Sequence, residues 1–162
     1  MSGKTIEILN INNEENLILC DALTYSQKYN PIIIISITTL TSNQLPILGK
    51  NYNAIYSNNS KLANDLLISG KIINDPCWKM PLSKKYNESL KSTITDITND
   101  NDETNNSIIN ACFLSNFTQN VPWAHLDISG TYTAKVNKSE EITGRPIKLL
   151  IQYIINITST FK

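Results

Sequence analysis

Three cysteines are the side chains of this sequence that could act as nucleophiles or as soft metal ligands. Cys20, Cys77 and Cys112 are odd in number and widely spaced, and no Cys-x-x-Cys pair occurs. Redox and zinc centres usually bring thiols together at short sequence spacings. This spacing therefore favours three reduced thiols that serve as small core residues, with a redox or metal role as the alternative.

The single histidine and two aspartates are the next candidates for chemistry. His125 is the only histidine, and it lies in the segment 123–128, whose alternating pattern predicts a strand. Packing inside the fold is therefore the expected role of His125. Asp96 and Asp127 also lie in strand-like segments, and neither has a spacing to Glu14 that is typical of metal ligands.

The elements that must position these side chains alternate between strands and helices. Apolar alternation and apolar runs predict strands at 5–9, 32–37, 54–57 and 123–128. Three- and four-residue spacing predicts helices at 15–28, 61–69, 83–91, 107–117 and 147–157, and the polar segment 100–106 predicts a solvated loop. The run from Ile32 to Ile35 does not alternate, as expected of a strand covered on both faces. Together these elements predict an α/β fold with a mixed sheet between helices.

Length and charge exclude several classes of partner. A chain of 162 residues with 41% hydrophobic residues is long enough for one core, so we expect a single domain over residues 1–162. Fourteen basic and fourteen acidic residues leave no net charge that would attract nucleic acid or an anionic membrane. No apolar run approaches the roughly 20 residues of a membrane span, and no signal-peptide segment opens the sequence. We expect a cytoplasmic protein with no nucleic-acid and no membrane partner.

Four separated parts of the sequence carry a resemblance to one known family. They are residues 2–10 with 17–25, residues 37–41, residues 78–82, and residues 123–131 with 143–146. In order and spacing they resemble the leucyl aminopeptidases, or cytosol aminopeptidases, and the bacterial members most of all. The resemblance covers nearly the whole chain and indicates the C-terminal part of the family's catalytic domain.

The resemblance implies a two-metal exopeptidase that removes N-terminal residues such as leucine from peptides. In the family, an aspartate and a glutamate two residues apart converge on two divalent cations, Mn²⁺ or Zn²⁺. Here the glutamate is kept as Glu14, whereas Asn12 occupies the aspartate position. An amide oxygen adds no negative charge, so metal binding by this chain is expected to be weak or absent. The alternative for Glu14 is a solvent-exposed carboxylate in a remnant turn.

Two further parts of the family's site fall on residues of this sequence. The family arginine that helps to hold the anionic tetrahedral intermediate is replaced by Asn16, which offers no charged bidentate donor. Loss of one such donor typically costs about 10²–10³ in rate. Thr39 and Leu40 match the turn that lines the substrate cleft of the family, and the resemblance implies that they bind substrate.

Several functions follow from the resemblance and stay open. The other metal ligands and the catalytic lysine of the family precede the matched segment, and Met1 matches a methionine inside the family domain. We therefore expect a truncated chain that needs a complementing N-terminal fragment to act on a peptide substrate. The alternative is a non-catalytic pseudo-enzyme that keeps the surface of a family of hexamers and acts as a homo-oligomeric scaffold. A third interpretation is that the chain is the product of a decaying gene and has no present role.

Overall fold

The computed structural model describes residues 1–11, 14–40, 48–99, 107–137 and 139–159. In these ranges the chain forms eight strands: β1 (Ile6–Glu7), β2 (Ile34–Thr38), β3 (Asn53–Ser57), β4 (Cys77–Lys79), β5 (Ile97–Thr98), β6 (Trp123–Asp127), β7 (Thr133–Val136) and β8 (Ser139–Ile142). The same ranges hold five α-helices: α1 (Glu14–Ser26), α2 (Ser60–Ile72), α3 (Lys84–Glu88), α4 (Ser107–Ser115) and α5 (Ile147–Ser159). Asn12 and the predicted loop at 100–106 lie outside the described residues.

A four-stranded mixed sheet in the order β2-β6-β3-β4 lies between the helices. β2 runs parallel to β6, β3 runs antiparallel to β6, and β4 runs parallel to β3. All five residues of β6 are buried, so this strand has no solvent-exposed face, although its sequence alternates. The parallel register places Thr38, the last residue of β2, opposite Asp127, the last residue of β6.

Helices cover both faces of this sheet, and each face has its own apolar core. On one face, residues of α1 and α4 pack with Tyr56 and Trp123. On the other face, residues of α2 and α5 pack with Ile55 and Leu126. This confirms the predicted α/β fold, in which a mixed sheet lies between helices. A fully buried Leu or Ile side chain contributes roughly 1.5–3 kcal/mol, so these two clusters are the main source of stability.

Helix α2 shows how the sequence sets one of these contacts. Its N-cap is Asn59, whose side chain accepts a hydrogen bond from the Leu62 N–H at 2.9 Å, as a capping asparagine should. Toward its end, Gly70 approaches the main chain so closely that an added Cβ would lie 2.5 Å from the Asp75 carbonyl oxygen. Only glycine permits this approach. The predicted helix at 61–69 is confirmed, and it extends to Ile72.

The apolar run that opens β2 is covered on both faces, as the sequence predicts. Ile34 packs against the core that holds α1 and α4, and Ile33 and Ile35 pack against the core that holds α2 and α5. Ile32, in contrast, precedes the strand and is 88% exposed. β2 is also the outermost strand of its sheet.

Several elements differ from the sequence predictions. β1 pairs in parallel with β5 in a separate two-stranded sheet, so β1, α1 and β2 do not form one strand-helix-strand unit within a single sheet. The short strand β4 and the antiparallel β7–β8 pair were not predicted. β5 begins directly after Asp96, which lies in a segment predicted to be strand-like. All four residues of β8 are exposed, so this strand has no buried face for an apolar pattern to indicate. No helix in the described ranges is long and apolar enough to cross a membrane.

Candidate active site

The chain that leads into the predicted metal-binding turn is held by one buried asparagine. The Asn99 side-chain oxygen accepts hydrogen bonds from the main-chain N–H groups of Leu9 at 2.9 Å and Asn10 at 3.2 Å. The Asn99 amide nitrogen donates to the Asn10 carbonyl oxygen at 2.7 Å. Asn99 is 1% exposed and follows β5 directly. Because β5 pairs with β1, this short sheet places Asn99 against the main chain of Leu9 and Asn10.

The predicted site residues on α1 lie in two different environments. Glu14 is the first residue of the helix and is exposed to solvent, where a carboxylate interacts favourably with the helix N-terminus. Asn16, two residues later, is buried. Leu17 then packs against the core that holds α1 and α4. The structure therefore presents Glu14 at the surface and holds Asn16 inside.

The main chain of Leu40 is fixed on both sides by buried side chains. The Asp127 carboxylate accepts a hydrogen bond from the Leu40 N–H at 3.2 Å. The Asn110 amide donates to the Leu40 carbonyl oxygen at 3.0 Å. The same Asp127 oxygen accepts from the Ser129 N–H at 2.9 Å. Thr39 is half-buried, and it lies between β2 and this fixed residue.

Leu40 and the inner face of α1 meet in one apolar cluster. Leu40, Cys20 and Leu23 are buried members of that cluster, and Leu17 packs against it. Leu40, which is predicted to bind substrate, and the helix that begins at Glu14 are thus supported by the same core. Glu14 itself lies outside this core, at the exposed end of the helix.

His125 is part of the buried interior, as the sequence predicts. Its Nδ1 lies 2.8 Å from the Ser36 hydroxyl, and its Nε2 lies 3.3 Å from the Thr38 hydroxyl. Trp123 donates its indole N–H to the same Ser36 hydroxyl at 2.9 Å. Complete burial lowers the pKa of His125 to about 3, so the ring is neutral at neutral pH. Both ring nitrogens have protein partners, as expected of a packing residue.

The cysteines behave as core residues, which confirms the prediction for them. Cys20, Cys77 and Cys112 are all free and buried. Burial raises the pKa of the Cys20 thiol to about 11 and that of Cys77 to about 12. Thiols with such pKa values stay protonated at neutral pH and are poor nucleophiles.

Tyr56 forms a hydrogen bond between two hydroxyl groups in the interior of the fold. The phenol of Tyr56 lies 2.6 Å from the hydroxyl of Ser107, the first residue of α4. Burial raises the pKa of Tyr56 above its usual range, and the negative charge of Asp127 contributes in the same direction. Tyr56 therefore remains an uncharged hydrogen-bonding group at neutral pH.

The described residues do not by themselves fit a two-cation site. Within the ranges that the structure describes, no group of three or more His, Cys, Asp or Glu side chains is placed to hold a metal ion. A two-metal centre needs several carboxylate ligands, because the charge of two dications must be balanced. Of the two residues predicted as metal ligands, Glu14 is described and exposed, and Asn12 lies outside the described part of the chain.

Asn99 and Asn110 are the positioning residues that were not predicted from the sequence. Asn110 lies within the otherwise apolar run Ile108-Ile109-Asn110-Ala111-Cys112, and all five of these residues are buried. A polar side chain inside a buried helix must find a hydrogen-bond partner, so this pattern could have marked Asn110. Asn99 follows a two-residue strand and precedes a polar segment, so no comparable pattern surrounds it.

Comparison with known proteins matches residues 1–151 to the family described as "Cytosol aminopeptidase family, catalytic domain". The chain is 46% identical over 156 residues to a protein named "Probable cytosol aminopeptidase" from Bordetella avium (strain 197N), which covers 96% of this chain and 31% of that protein. A protein of the same name from Thioalkalivibrio sulfidiphilus (strain HL-EbGR7) is 46% identical over 159 residues, 98% of this chain and 32% of that protein. The chain thus spans about a third of the length of these curated relatives.

Proposed function

The chain belongs to the cytosol aminopeptidase family, and from this premise we propose that it serves the metal-dependent release of N-terminal residues from peptides. In this proposal the chain acts as one domain, supplies one part of the family's catalytic site, and needs the remaining part from a complementing fragment. The shared name of its relatives, cytosol aminopeptidase, supports a cytoplasmic location.

The observation that carries the proposal is the fixed main chain at the end of β2. Parallel strands β2 and β6 end side by side at Thr38 and Asp127, and ligands commonly bind at the carboxyl ends of parallel strands. Asp127 and Asn110 fix Leu40 immediately beyond that edge. A substrate groove needs such a rigid wall, because misplacement of substrate by about 1 Å can cost about 10²-fold in rate.

The roles of the individual residues follow from their exposure. The Leu40 N–H already donates to Asp127, so the proposed contribution of Leu40 to the groove is structural. The half-buried Thr39 is the residue proposed to meet a peptide. Glu14 is exposed and would offer one carboxylate to a cation. Asn12 would offer an amide oxygen, and Asn16 stands at the position of the family arginine.

The metal ions of the proposed activity are two Mn²⁺ or Zn²⁺ ions, as the family resemblance implies. The described residues do not fit such a pair, and in this proposal the missing ligands come from the part of the family domain that the chain does not match. What this chain would do is hold the groove wall and present Glu14 beside that site.

A complementation assay tests the proposal. The chain is expressed alone and together with the Thioalkalivibrio relative from which the matched 159 residues have been removed, and hydrolysis of leucine amide is measured with Mn²⁺ and with Zn²⁺. We expect hydrolysis only when both parts are present, and Glu14→Gln should lower it. Hydrolysis by the chain alone, or no hydrolysis by the pair with either metal, would contradict the proposal.

A repair experiment extends this assay. The double variant Asn12→Asp and Asn16→Arg restores the family residues at both positions, and with the complementing fragment it should exceed the natural sequence by at least about 10², the lower value for one oxyanion donor. Without that fragment it should remain inactive, because ligands that act as a unit do not give partial activity. Equal activity of both sequences would show that Asn12 and Asn16 are tolerated.

The second candidate function is a non-catalytic scaffold that assembles into homo-oligomers. The exposed face of α5 favours it, because Ile147, Ile151 and Ile154 lie on that face at helical spacing and are all about half exposed or more. Sedimentation of the purified chain tests this candidate. A stable oligomer together with no hydrolysis in the complementation assay would favour the scaffold.

A further inference from the structure

Four side chains on one face of β2 and β6 form a hydrogen-bond network that ends at Thr38. The parallel register places Ser36 opposite His125, and residues two apart on a strand share a face. The Trp123 indole N–H donates to the Ser36 hydroxyl at 2.9 Å. The Ser36 hydroxyl lies 2.8 Å from His125 Nδ1, and His125 Nε2 lies 3.3 Å from the Thr38 hydroxyl.

The chemistry of the donors and acceptors determines the direction of each hydrogen bond in this network. The Trp123 indole is only a donor, so the Ser36 oxygen accepts from it. The His125 ring is neutral, because complete burial lowers its pKa to about 3, and one ring nitrogen therefore carries a proton while the other accepts.

The buried Ser36 hydroxyl decides which ring nitrogen of His125 carries the proton. If Nδ1 carried it, Ser36 would accept from both Trp123 and His125, and the Ser36 proton would have no acceptor in the described part of the chain. An unsatisfied buried donor disfavours this tautomer by a factor of roughly 5 to 150. Ser36 therefore donates to Nδ1, and Nε2–H donates to the Thr38 oxygen.

Thr38 is the least buried member of the network. Trp123, Ser36 and His125 are buried, whereas Thr38 is half-buried at the end of β2. Because Thr38 accepts from His125, its own hydroxyl proton is free to donate, and no residue in the described ranges accepts it. Thr38 directly precedes Thr39, at the carboxyl ends of β2 and β6 where the proposed substrate groove lies. The network thus leaves one hydroxyl donor at the edge of that groove.

We propose that Thr38 binds the peptide substrate by donating its hydroxyl proton to a main-chain carbonyl oxygen of the peptide. A carbonyl oxygen is only an acceptor, so it matches the group that Thr38 has free. Ser36 and His125 are positioning residues in this proposal, because they determine the side on which Thr38 accepts and so leave its proton for the substrate. The inference rests on the proposed function and adds a substrate contact to the wall that Asp127 and Asn110 hold.

Nitrogen NMR of the isotope-labelled chain tests the network without substrate. At neutral pH we expect His125 to carry its proton on Nε2 and to leave Nδ1 unprotonated. Ser36→Ala removes the donor to Nδ1, so the ratio of the Nδ1–H to the Nε2–H tautomer should rise at least about fivefold. A natural chain in which Nδ1 carries the proton would overturn the inference, and this measurement does not require the variant to fold.

Thr38→Val tests the substrate contact, because it replaces the hydroxyl by a methyl group and keeps a branched side chain suited to a strand. Thr38→Ser is the matched control that keeps the hydroxyl. Each version is combined with the Thioalkalivibrio relative that lacks the matched residues, and kcat and KM for leucine amide are measured. We expect KM to rise about three- to tenfold for Thr38→Val, as for one lost hydrogen bond, with kcat within about twofold. Thr38→Ser should keep a KM close to the natural value.

The possible outcomes separate this inference from the proposed function. Hydrolysis with an unchanged KM for Thr38→Val, or with an equal rise for Thr38→Ser, would overturn the inference and leave the proposed function in place. If the pair does not hydrolyse leucine amide, calorimetry gives the Kd of leucine amide for the same pair. Binding that Thr38→Val weakens and Thr38→Ser retains would then contradict only the proposed function. Absence of binding, or equal binding by both variants, would overturn the inference.

Discussion

Asn99, Asn110 and Asp127 are buried and hold the main chain of the candidate site, whereas Glu14 lies in the exposed first turn of α1. The first three make hydrogen bonds of 2.7–3.2 Å to Leu9, Asn10 and Leu40. The two regions therefore differ in their proposed roles. The buried residues determine where the chain runs, and the exposed first turn of α1 presents Glu14, the carboxylate proposed as a cation ligand.

Burial explains why these regions tolerate change differently. Removing one partner of a buried hydrogen bond leaves the other unsatisfied, at a cost of about 1–3 kcal/mol. An exposed carboxylate at a helix N-terminus contributes only about 0.3–1 kcal/mol. A substitution in the buried residues thus threatens the fold, whereas one at Glu14 should leave the fold nearly unchanged. Substitutions of the buried residues and of Glu14 test this difference.

The largest expected effect on stability comes from another buried polar contact of the chain, the ion pair between Asp75 and Arg145. Asp75 is buried and pairs with the Arg145 guanidinium, which also donates to the carbonyl oxygens of Asn51 at 3.1 Å and Pro76 at 3.2 Å. Arg145→Met leaves the buried carboxylate unpaired, so we expect the free energy of unfolding to fall by about 3–5 kcal/mol. Urea unfolding measures this loss. Combining the variant with Asp75→Asn should restore part of it, and a loss below about 1 kcal/mol would show that the pair is not important for stability.

Asn99→Ala should have the next largest effect. The change removes the acceptor for two main-chain N–H groups and the donor for one carbonyl group, and we expect a loss of about 2–3 kcal/mol in the free energy of unfolding. Asn64→Ala is the matched control, because Asn64 is an exposed asparagine on α2 and its loss should lie within about 0.5 kcal/mol. Similar losses for both variants would mean that Asn99 does not hold the turn.

His125 should make stability depend on pH. Its pKa in the folded chain is about 3, below its ordinary value of 6.5, so the unfolded chain takes up a proton that the folded chain excludes. This contribution is fully present above pH 6.5 and is lost progressively as the pH falls toward 3. Between pH 6.5 and pH 5 we expect a loss of about 2 kcal/mol. Urea unfolding at both pH values should show a smaller loss for His125→Asn, and an NMR titration in which His125 protonates near pH 6 would contradict the assignment.

The sequence predicted the helices and the central strands because their apolar spacing reports burial directly. In α5, buried Leu149 and Tyr153 are four residues apart, as an amphipathic helix requires. β4 and β5 have three and two residues, too few for a periodic pattern, and they form through pairing with β3 and β1. The sequence also did not indicate the order of the strands in the sheet. The apolar run of β2 indicates coverage on both faces, but it does not say whether a strand lies at the edge.

For the candidate site, the family resemblance predicted which residues take part, whereas the structure shows which buried side chains hold the main chain around them. Asn99 and Leu9 are separated by 90 residues, and Asp127 and Leu40 by 87, so neither contact follows from local spacing. Trp78 makes a further contact that local spacing does not indicate, because it is mostly exposed and packs edge-on against Tyr52 at a ring-centroid distance of 6.2 Å.

The smallest expected effect is that of Glu14→Gln, and it gives the comparison its sharpest test. The side chain is exposed at the start of α1, so neutralising it removes only a favourable interaction with the helix N-terminus, and the free energy of unfolding should fall by no more than about 1 kcal/mol. Glu15→Gln is the matched control, because Glu15 is the next residue of the same first turn and is also exposed. The two variants should be equally stable in urea. They should differ only in the complementation assay, where the loss of Glu14 removes a carboxylate from the proposed cation site and the loss of Glu15 does not. A loss above about 1 kcal/mol for Glu14→Gln alone would show that Glu14 contributes to the stability of the fold. The distinction between the buried residues that hold the main chain and the exposed residue proposed to bind a cation would then be wrong.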